Sequence, residues 1–364
     1  MANIIARALR VTALSGVALA AAAPVVAQAQ DSFYKGKQVR LIIGYGTGGG
    51  YDSYARLLSK HLPKHIPGNP SVIPVNMPGA GSTLAANHLF NVAPKDGLTL
   101  GTFARALPLA GILDPNSPQI KFKPQDFTWI GSSSSFKDDA YVLVTRAELP
   151  IKTVEDIRGA NAKPMVMAAT NAGSTSYDVP VQLLDVLGLK LKIIHGYPDG
   201  AAMSLAIERR EADGRMIGLS AIQATQPDWL GKNGSMRPLM QFGRRDRHKL
   251  LMDVPTAREL AESKEDLALI EMLEMPFFLA RPYAAPPGVP QERAAILIKA
   301  FMAAHKDKDY LHDAKKQKMD VSPIDGEDIR EMLTRMADVP PAVIGRYKQI
   351  ADKTKPADGT TASE

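Results

Sequence analysis

Apolar runs of four to six residues, the length of a strand, alternate with amphipathic stretches through most of this chain. The runs fall at 39–43, 72–75, 98–103, 141–144, 165–169, 192–195 and 215–219. Between them, segments such as 51–62 place Tyr51, Tyr54, Ala55, Leu58 and Leu62 on one helical face. Sustained alternation predicts an α/β fold with mostly parallel sheets, because parallel neighbours need a crossover connection and a helix is the usual one. From about 291 to 350 the pattern turns helical, most clearly at 294–304, 329–336 and 343–350.

Two polar breaks interrupt the alternation, Ser132-Ser133-Ser134-Ser135 and the stretch 243–253. Chain crossings between two domains are expected at both, which makes one lobe discontinuous. The first domain then comprises 30–135 and 246–352, the second 136–245, with a polar, frayed tail at 353–364.

At the N-terminus, Arg7 and Arg10 precede an apolar run at 11–23 and the small-x-small triplet Ala27-Gln28-Ala29. That order is a secretory signal peptide at 1–29, cleaved after Ala29. Its apolar run falls short of the roughly 20 residues that a membrane-spanning helix needs. The expected address is the periplasm. The chain has no cysteine, which excludes disulfides, thiol nucleophiles and thiolate metal sites together. An exported chain held by its cores alone fits a bacterial periplasm.

Net charge is +6, two of it from Arg7 and Arg10, a mild excess that identifies no partner. The basic clusters at 244–249 and 315–318 carry no interleaved aromatic residues, so they read as solvated surface and not as a nucleic-acid interface.

The motif that carries chemistry is the glycine loop between the first strand and the first helix: Gly44, Tyr45, Gly46, Thr47, Gly48, Gly49, Gly50, then Tyr51 and Asp52. Glycines permit close backbone approach, and the free N–H groups that open a helix favour an anion. A second loop follows the second strand at Asn76, Met77, Pro78, Gly79, Ala80, Gly81 and Ser82, and two such loops can clamp one ligand. Residues 44–49 match G-x-G-x-x-G. However, no acid follows from 53 to 95 to hold a ribose, so a dinucleotide site is disfavoured, and no Lys-Ser or Lys-Thr pair makes a phosphate loop. Asp52 sits in the first helical turn, where an acid caps backbone donors; its alternative role is to orient water or a ligand amine. Arg105, just after the third strand, could pair with a carboxylate across the loops and so turn a dipole-only site into an ion-pairing one; the competing reading is a solvent-facing arginine.

His61 and His65 lack the adjacent glutamate of a zinc helix, and Pro63 intervenes, so no metal is expected. No G-x-S-x-G elbow is present. A hydrolase would have to draft Ser174 with His195 and Asp178 or Asp213.

In order and spacing, these residues resemble the periplasmic substrate-binding proteins of tripartite tricarboxylate transporters, the TctC or Bug family. The entry at 33–43 is similar to the family's first strand, and Gly48-Gly49-Gly50-Tyr51-Asp52 resembles its P-G-G-G-x-D loop, with Thr47 in place of the proline. Residues 76–82 resemble N-x-P-G-A-G-G, with Ser82 in place of the last glycine; 93–100 resembles A-x-P-D-G-Y-T-L, and 253–256 D-V-P-T. Ala172-Gly173-Ser174-Thr175 is similar to a G-x-G-S segment without its following histidine. Tyr197-Pro198-Asp199-Gly200 loosely resembles Y-K-G, and Glu211-Ala212-Asp213-Gly214 resembles G-x-V-D.

The resemblance implies a two-lobed Venus-flytrap α/β protein, each lobe a mostly parallel sheet flanked by helices. It implies a monomeric receptor, not an enzyme, that closes on a small carboxylate and delivers it to integral-membrane TctA/TctB-type permease subunits, with no cofactor. The two loops of the first lobe are expected to grip one carboxylate through backbone N–H groups and bridging waters. Gly173, Ser174, Thr175, Tyr197 and Asp213 are expected to meet the ligand from the second lobe. A sensor accessory that presents its ligand to a membrane kinase and a secreted serine hydrolase are the alternatives.

Overall fold

The computed structural model describes residues 33–172 and 174–353. The expected signal peptide and its cleavage point, Gly173 and the tail beyond 353 lie outside them. The chain begins with β1 (Gln38–Ile43), α1 (Gly50–His61), β2 (Ser71–Asn76), α2 (Thr83–Asn91), β3 (Thr99–Thr102), α3 (Leu107–Leu113) and β4 (Thr128–Ser132). It then builds β5 (Tyr141–Arg146), β6 (Met165–Ala168), α4 (Thr175–Val186), β7 (Leu191–Ile194), α5 (Gly200–Glu208), β8 (Gly214–Gly218), α6 (Leu219–Thr225), β9 (Met236–Phe242) and α7 (Lys264–Glu274). Last come β10 (Pro282–Ala285), α8 (Gln291–Ala304), α9 (Lys308–Lys316), β11 (Ile324–Asp325), α10 (Gly326–Ala337) and α11 (Pro341–Lys353).

These strands form two sheets, one per lobe, in the orders β11-β4-β10-β3-β1-β2 and β7-β6-β8-β5-β9. Both are mixed, where mostly parallel sheets were expected. β1 pairs parallel with β2 and β3, and β6 parallel with β7 and β8. β10 runs antiparallel to β3 and β4, and β5 antiparallel to β8 and β9. The cause is the pair of crossings: the chain leaves the first sheet on β4 and re-enters on β10, and enters the second on β5 and leaves on β9. Outgoing and returning strands lie side by side and so point in opposite directions.

At the crossing itself, Ser133 N donates to Arg281 O (3.1 Å), Ala280 N to Ser134 O (2.9 Å) and Arg281 N to Ser132 Oγ (3.0 Å). Phe277 lies there too, its ring centroid 5.1 Å from those of Phe136 and Tyr141 and 5.4 Å from that of Phe242. Within 246–352, β10, α8 and α10 join the first sheet, whereas α7 and α11 pack on α4 of the second lobe. Arg346 on α11 fixes that packing through Asp185 and Asp266, at 3.3 and 2.6 Å.

The apolar faces explain the layers. Leu41 and Ile43 of β1, Ala55 and Leu58 of α1 and Phe301 of α8 are buried together in the first lobe. Val142, Val144, Ile217 and Trp229 fill one side of the second sheet. Each such side chain contributes roughly 1.5 to 3 kcal/mol on burial, so neither lobe needs a covalent staple.

Candidate functional site

The carboxyl ends of β1 and β8 and the N-termini of the helices that follow face one another across a cleft of about 350 Å³. Ligands of open α/β sheets sit at such strand ends. The first lobe contributes Tyr45, Gly48, Gly49, Gly50, Tyr51 and Tyr54; the second contributes Thr170, Ser174, Thr175, Asp199, Gly200 and Arg215.

Local chemistry shapes the glycine loop. Asp52 accepts from Gly48 N (3.0 Å), Arg56 Nε (2.9 Å) and Asn76 Nδ2 (2.9 Å), so its carboxylate faces inward and pins the loop to the start of α1 and the end of β2. Burial pushes its pKa up, but these hydrogen bonds and the Arg56 charge outweigh that and hold it below the usual carboxylate range. Gly49 at the N-cap has an extended backbone and gives α1 no side-chain cap, so the first N–H groups of that helix stay available. Helix α4 likewise begins at Ser174 with no side-chain cap. Ser174 Oγ instead lies 2.5 Å from Thr170 Oγ1 and 3.0 Å from Ser176 Oγ, and donates to Asn171 O (2.8 Å). This is a hydroxyl cluster, and no imidazole hydrogen-bonds Ser174 among the described residues. His195 packs edge-on against Tyr177 instead.

Three arginines line the cleft and are all buried: Arg105 (4% exposed), Arg215 (6%) and Arg281 (5%). None pairs with a carboxylate within salt-bridge distance among the described residues. Arg105 Nε and Nη1 and Arg281 Nε are buried without any hydrogen-bond partner. Arg105 stacks its guanidinium over Phe277 (4.1 Å) between Phe136 and Tyr141, and Arg281 lies over Tyr51 (4.8 Å) and Tyr54 (5.0 Å). Burial, together with the like charge of Arg281, lowers the Arg105 pKa. Arg215 is pushed down to about 10 by burial, against the pull of Tyr141 and Asp199, and stays charged at neutral pH. Its Nη1 donates to Gly200 O and to Ser204 Oγ.

Of the residues singled out in the sequence, Tyr45, Gly48, Gly49, Gly50, Arg105, Ser174 and Thr175 line this cleft. Gly46 borders it: a Cβ there would stand 2.9 Å from Asp199 Oδ2 of the opposite lobe. Thr47 is exposed beside it. Pro78, Gly79 and Ala80 are exposed and lie outside the lining, because positive φ at Gly79, Ala80, Gly81 and Ser82 turns the backbone sharply. Ser82 Oγ accepts from Ala104 N (3.1 Å) and fills the space left by Gly44, so this loop supports the segment that carries Arg105. Tyr197 packs on the second-lobe core. Asp213 precedes β8, at the end away from the cleft, and accepts from Arg146 Nη2 (3.0 Å) and Val166 N (2.9 Å). His61 and His65 bond Asp313 and Asp307 on or beside α9, at 2.9 and 3.1 Å. No group of metal-binding side chains is assembled among the described residues.

Arg215 and Arg281 were not anticipated, although a signal existed: Arg281 is a single charge inside the otherwise apolar run 276–285, and Arg215 opens the run 215–219. An isolated charge in a buried segment has to be matched by something.

Comparison with known proteins agrees with the fold. The family model described as "Tripartite tricarboxylate transporter family receptor" matches residues 54–344. A protein described as "UPF0065 protein in gbd 5'region" from Cupriavidus necator is 28% identical over 358 residues, 97% of this chain and 94% of that one. Among solved structures, the periplasmic binding protein BugD superposes with a TM-score of 0.68 at 18% identity, covering 87% of this chain and 99% of its own. MatC from Rhodopseudomonas palustris with bound malate gives 0.63 at 22% identity, covering 86% and 98%.

Proposed function

The chain belongs to the tripartite tricarboxylate transporter receptor family, and on that premise we propose that it is a periplasmic receptor that closes its two lobes on a small organic carboxylate and presents it to a membrane permease. The observation that carries this reading is the cleft: uncapped N-termini of α1 and α4 and three buried arginines converge where, among the described residues, one carboxylate, Asp199, joins the lining. Helix N-termini and guanidinium groups both favour an anion, and inside a water-poor cleft each interaction is stronger than in bulk solvent.

Binding proceeds in two contacts. An anion first meets the Gly48, Gly49 and Gly50 N–H groups and Arg105 and Arg281 on the first lobe. Rotation about the paired crossings near Ser133 and Arg281 then brings the second-lobe hydroxyls and Arg215 onto it, and the ligand favours the closed state by those added contacts. A charge-assisted hydrogen bond is worth roughly 1.5 to 3 kcal/mol. A few of these, less the cost of ordering ligand and lobes, leave micromolar binding at about −8 kcal/mol. The malate held by MatC is a small carboxylate of the size such a cleft admits. Delivery to TctA/TctB-type subunits and a monomeric receptor follow from the same reading.

A thermal-shift and calorimetry screen of mono-, di-, tri- and aromatic carboxylates on the purified protein tests it. One or more acids should stabilise it saturably at 1:1 stoichiometry and be recovered with unchanged mass. Absence of binding across the panel, or chemical conversion of a bound acid, overturns the proposal.

A further inference from the structure

Each lobe builds the same device at the cleft: a helix that opens with glycine and an arginine laid against its first turn. In the first lobe a Cβ on Gly50 of α1 would stand 3.2 Å from Arg281 Nη2; in the second, a Cβ on Gly200 of α5 would stand 3.3 Å from Arg215 Nη2. The two helices come from different sheets and share no motif, so the pairing of glycine with guanidinium arises twice. Arg105 reinforces the first seat, within electrostatic reach of Arg281 and with two nitrogens buried and unpartnered. Tyr141, whose hydroxyl is pushed up by burial against the pull of both Arg105 and Arg215, stands between the seats and stays neutral.

The charge count decides what fills them. Among the described residues three arginines face the cleft and one carboxylate, Asp199, which caps α5 by accepting from Ala202 N (2.9 Å). Asp139 pulls on Arg105 and Arg281 from beyond salt-bridge distance but spends its hydrogen bonds on Ser220 N, Ser220 Oγ and Ala140 N, and Asp320 accepts from Ser134 and Ser322. A single anionic group on the Arg281 and Arg105 seat leaves Arg215 facing the closed cleft with only the helix-capping carboxylate of Asp199, beyond salt-bridge distance, to offset it. Such a charge is costly to bury.

We propose that Arg281 with Arg105 on one lobe and Arg215 on the other are the ligand's direct counter-ions, and that Arg215 is the specificity determinant that demands a second anionic group before the lobes close. This rests on the receptor reading above and adds to it the residues that count the ligand's charges.

Calorimetry on the whole protein with three matched pairs tests the clamp: succinate, adipate and terephthalate, each against its monomethyl ester. For every pair that binds, the diacid should bind about 10- to 100-fold more tightly than the ester, the span of one charge-assisted hydrogen bond. In Arg215→Gln the diacid should lose far more affinity than its ester, so that the preference collapses to within about threefold, and Arg215→Lys should restore part of it. A structural role for Arg215 would weaken both members of the pair alike. Should Arg215→Gln fail to fold, Gly200→Ala displaces the Arg215 tip without removing its charge, and it should narrow the same preference. Equal affinities for diacid and ester in the unmodified protein, or a preference untouched in the Arg215 and Gly200 variants, overturn the clamp and leave the receptor reading standing. No heat from any of the six compounds overturns both.

Discussion

Arg105 shows most plainly how this chain trades stability for a binding surface. Its guanidinium is buried on three aromatic rings, with Nε and Nη1 left without partners. Ring contacts return about 0.5 to 2 kcal/mol, less than the several kcal/mol that an unpaired buried cation costs. Arg105→Met keeps the length and apolar stem while removing the charge. The unliganded variant should be more stable by about 1 kcal/mol or more in urea denaturation, and should bind the best carboxylate at least about tenfold more weakly. Loss of stability in the unliganded variant would show that the arginine serves the rings and not a ligand. Arg105 could be named from the sequence because it follows a strand end, where α/β sheets place their ligands, but the sequence favoured a solvent-facing side chain, and only the fold shows it buried in the cleft. Arg215 and Arg281 were not named, because β8 and the segment before β10 read as core and nothing local says which way one charge in such a run points. Only the fold brings the three together.

Among the elements, the link that makes the site is the strand, glycine loop and helix at β1 and α1, and its fastening is Asp52. One carboxylate holds the loop N–H of Gly48, Arg56 one turn along the helix, and Asn76 at the end of β2, while Asn76 also donates to Tyr45 O (2.8 Å). Asp52→Ala should lower stability by about 2 kcal/mol, the scale of a buried charge-assisted hydrogen bond, and loosen the loop. Its binding loss should exceed what the stability change predicts, and hydrogen exchange at 46–50 should rise. Unchanged exchange there would mean the glycines hold their shape unaided. The parallel strands β1, β2, β3, β6 and β7 and helix α1 were readable within a residue or two from apolar runs and facial periodicity, as were β5 and β8; α8, α10 and α11 were read up to three residues short at their ends, and α3, α5, α6, α7 and α9 were not picked out. The strands β4, β10 and β11 were not, and β9 showed only as the apolar tail 239–242. Trp129-Ile130-Gly131-Ser132 and Pro282-Tyr283-Ala284-Ala285 are short and carry Gly or Pro, and their pairing comes from chain segments about 150 residues apart. Local pattern holds no record of such long-range pairing. For the same reason, the docking of α11 on α4 through Arg346 could not be read from the alternation.

At the scale of the whole molecule, the two lobes meet at a crossing that contains a buried base. His305 at the end of α8 is 2% exposed; its Nδ1 lies 2.8 Å from Phe301 O and its Nε2 2.8 Å from Ser133 Oγ. The neutral tautomer satisfies both, Nδ1 donating to the carbonyl and Nε2 accepting from the hydroxyl. Burial, only partly opposed by the Phe301 carbonyl, pushes its pKa down to about 4. Between that value and the roughly 6.5 of an unfolded histidine, the unfolded chain binds the proton and the folded chain does not, so stability falls as pH falls through this window. Across the window the loss is about 3 kcal/mol. Glu274, raised to about 7 by burial despite Arg258 and the N–H of Gly243, acts in the opposite sense, since its folded form takes up a proton first as pH falls below 7. Net stability therefore changes less than either group alone would dictate, and only a difference measurement separates them. His305→Gln keeps a hydrogen-bonding group near Ser133 with nothing to titrate. In urea denaturation from pH 7 to pH 4.5, wild type should lose stability relative to this variant by about 2 to 3 kcal/mol. Parallel pH profiles for the two proteins would mean that His305 takes up its proton as readily in the fold as in the unfolded chain, so that burial at the crossing does not hold it neutral.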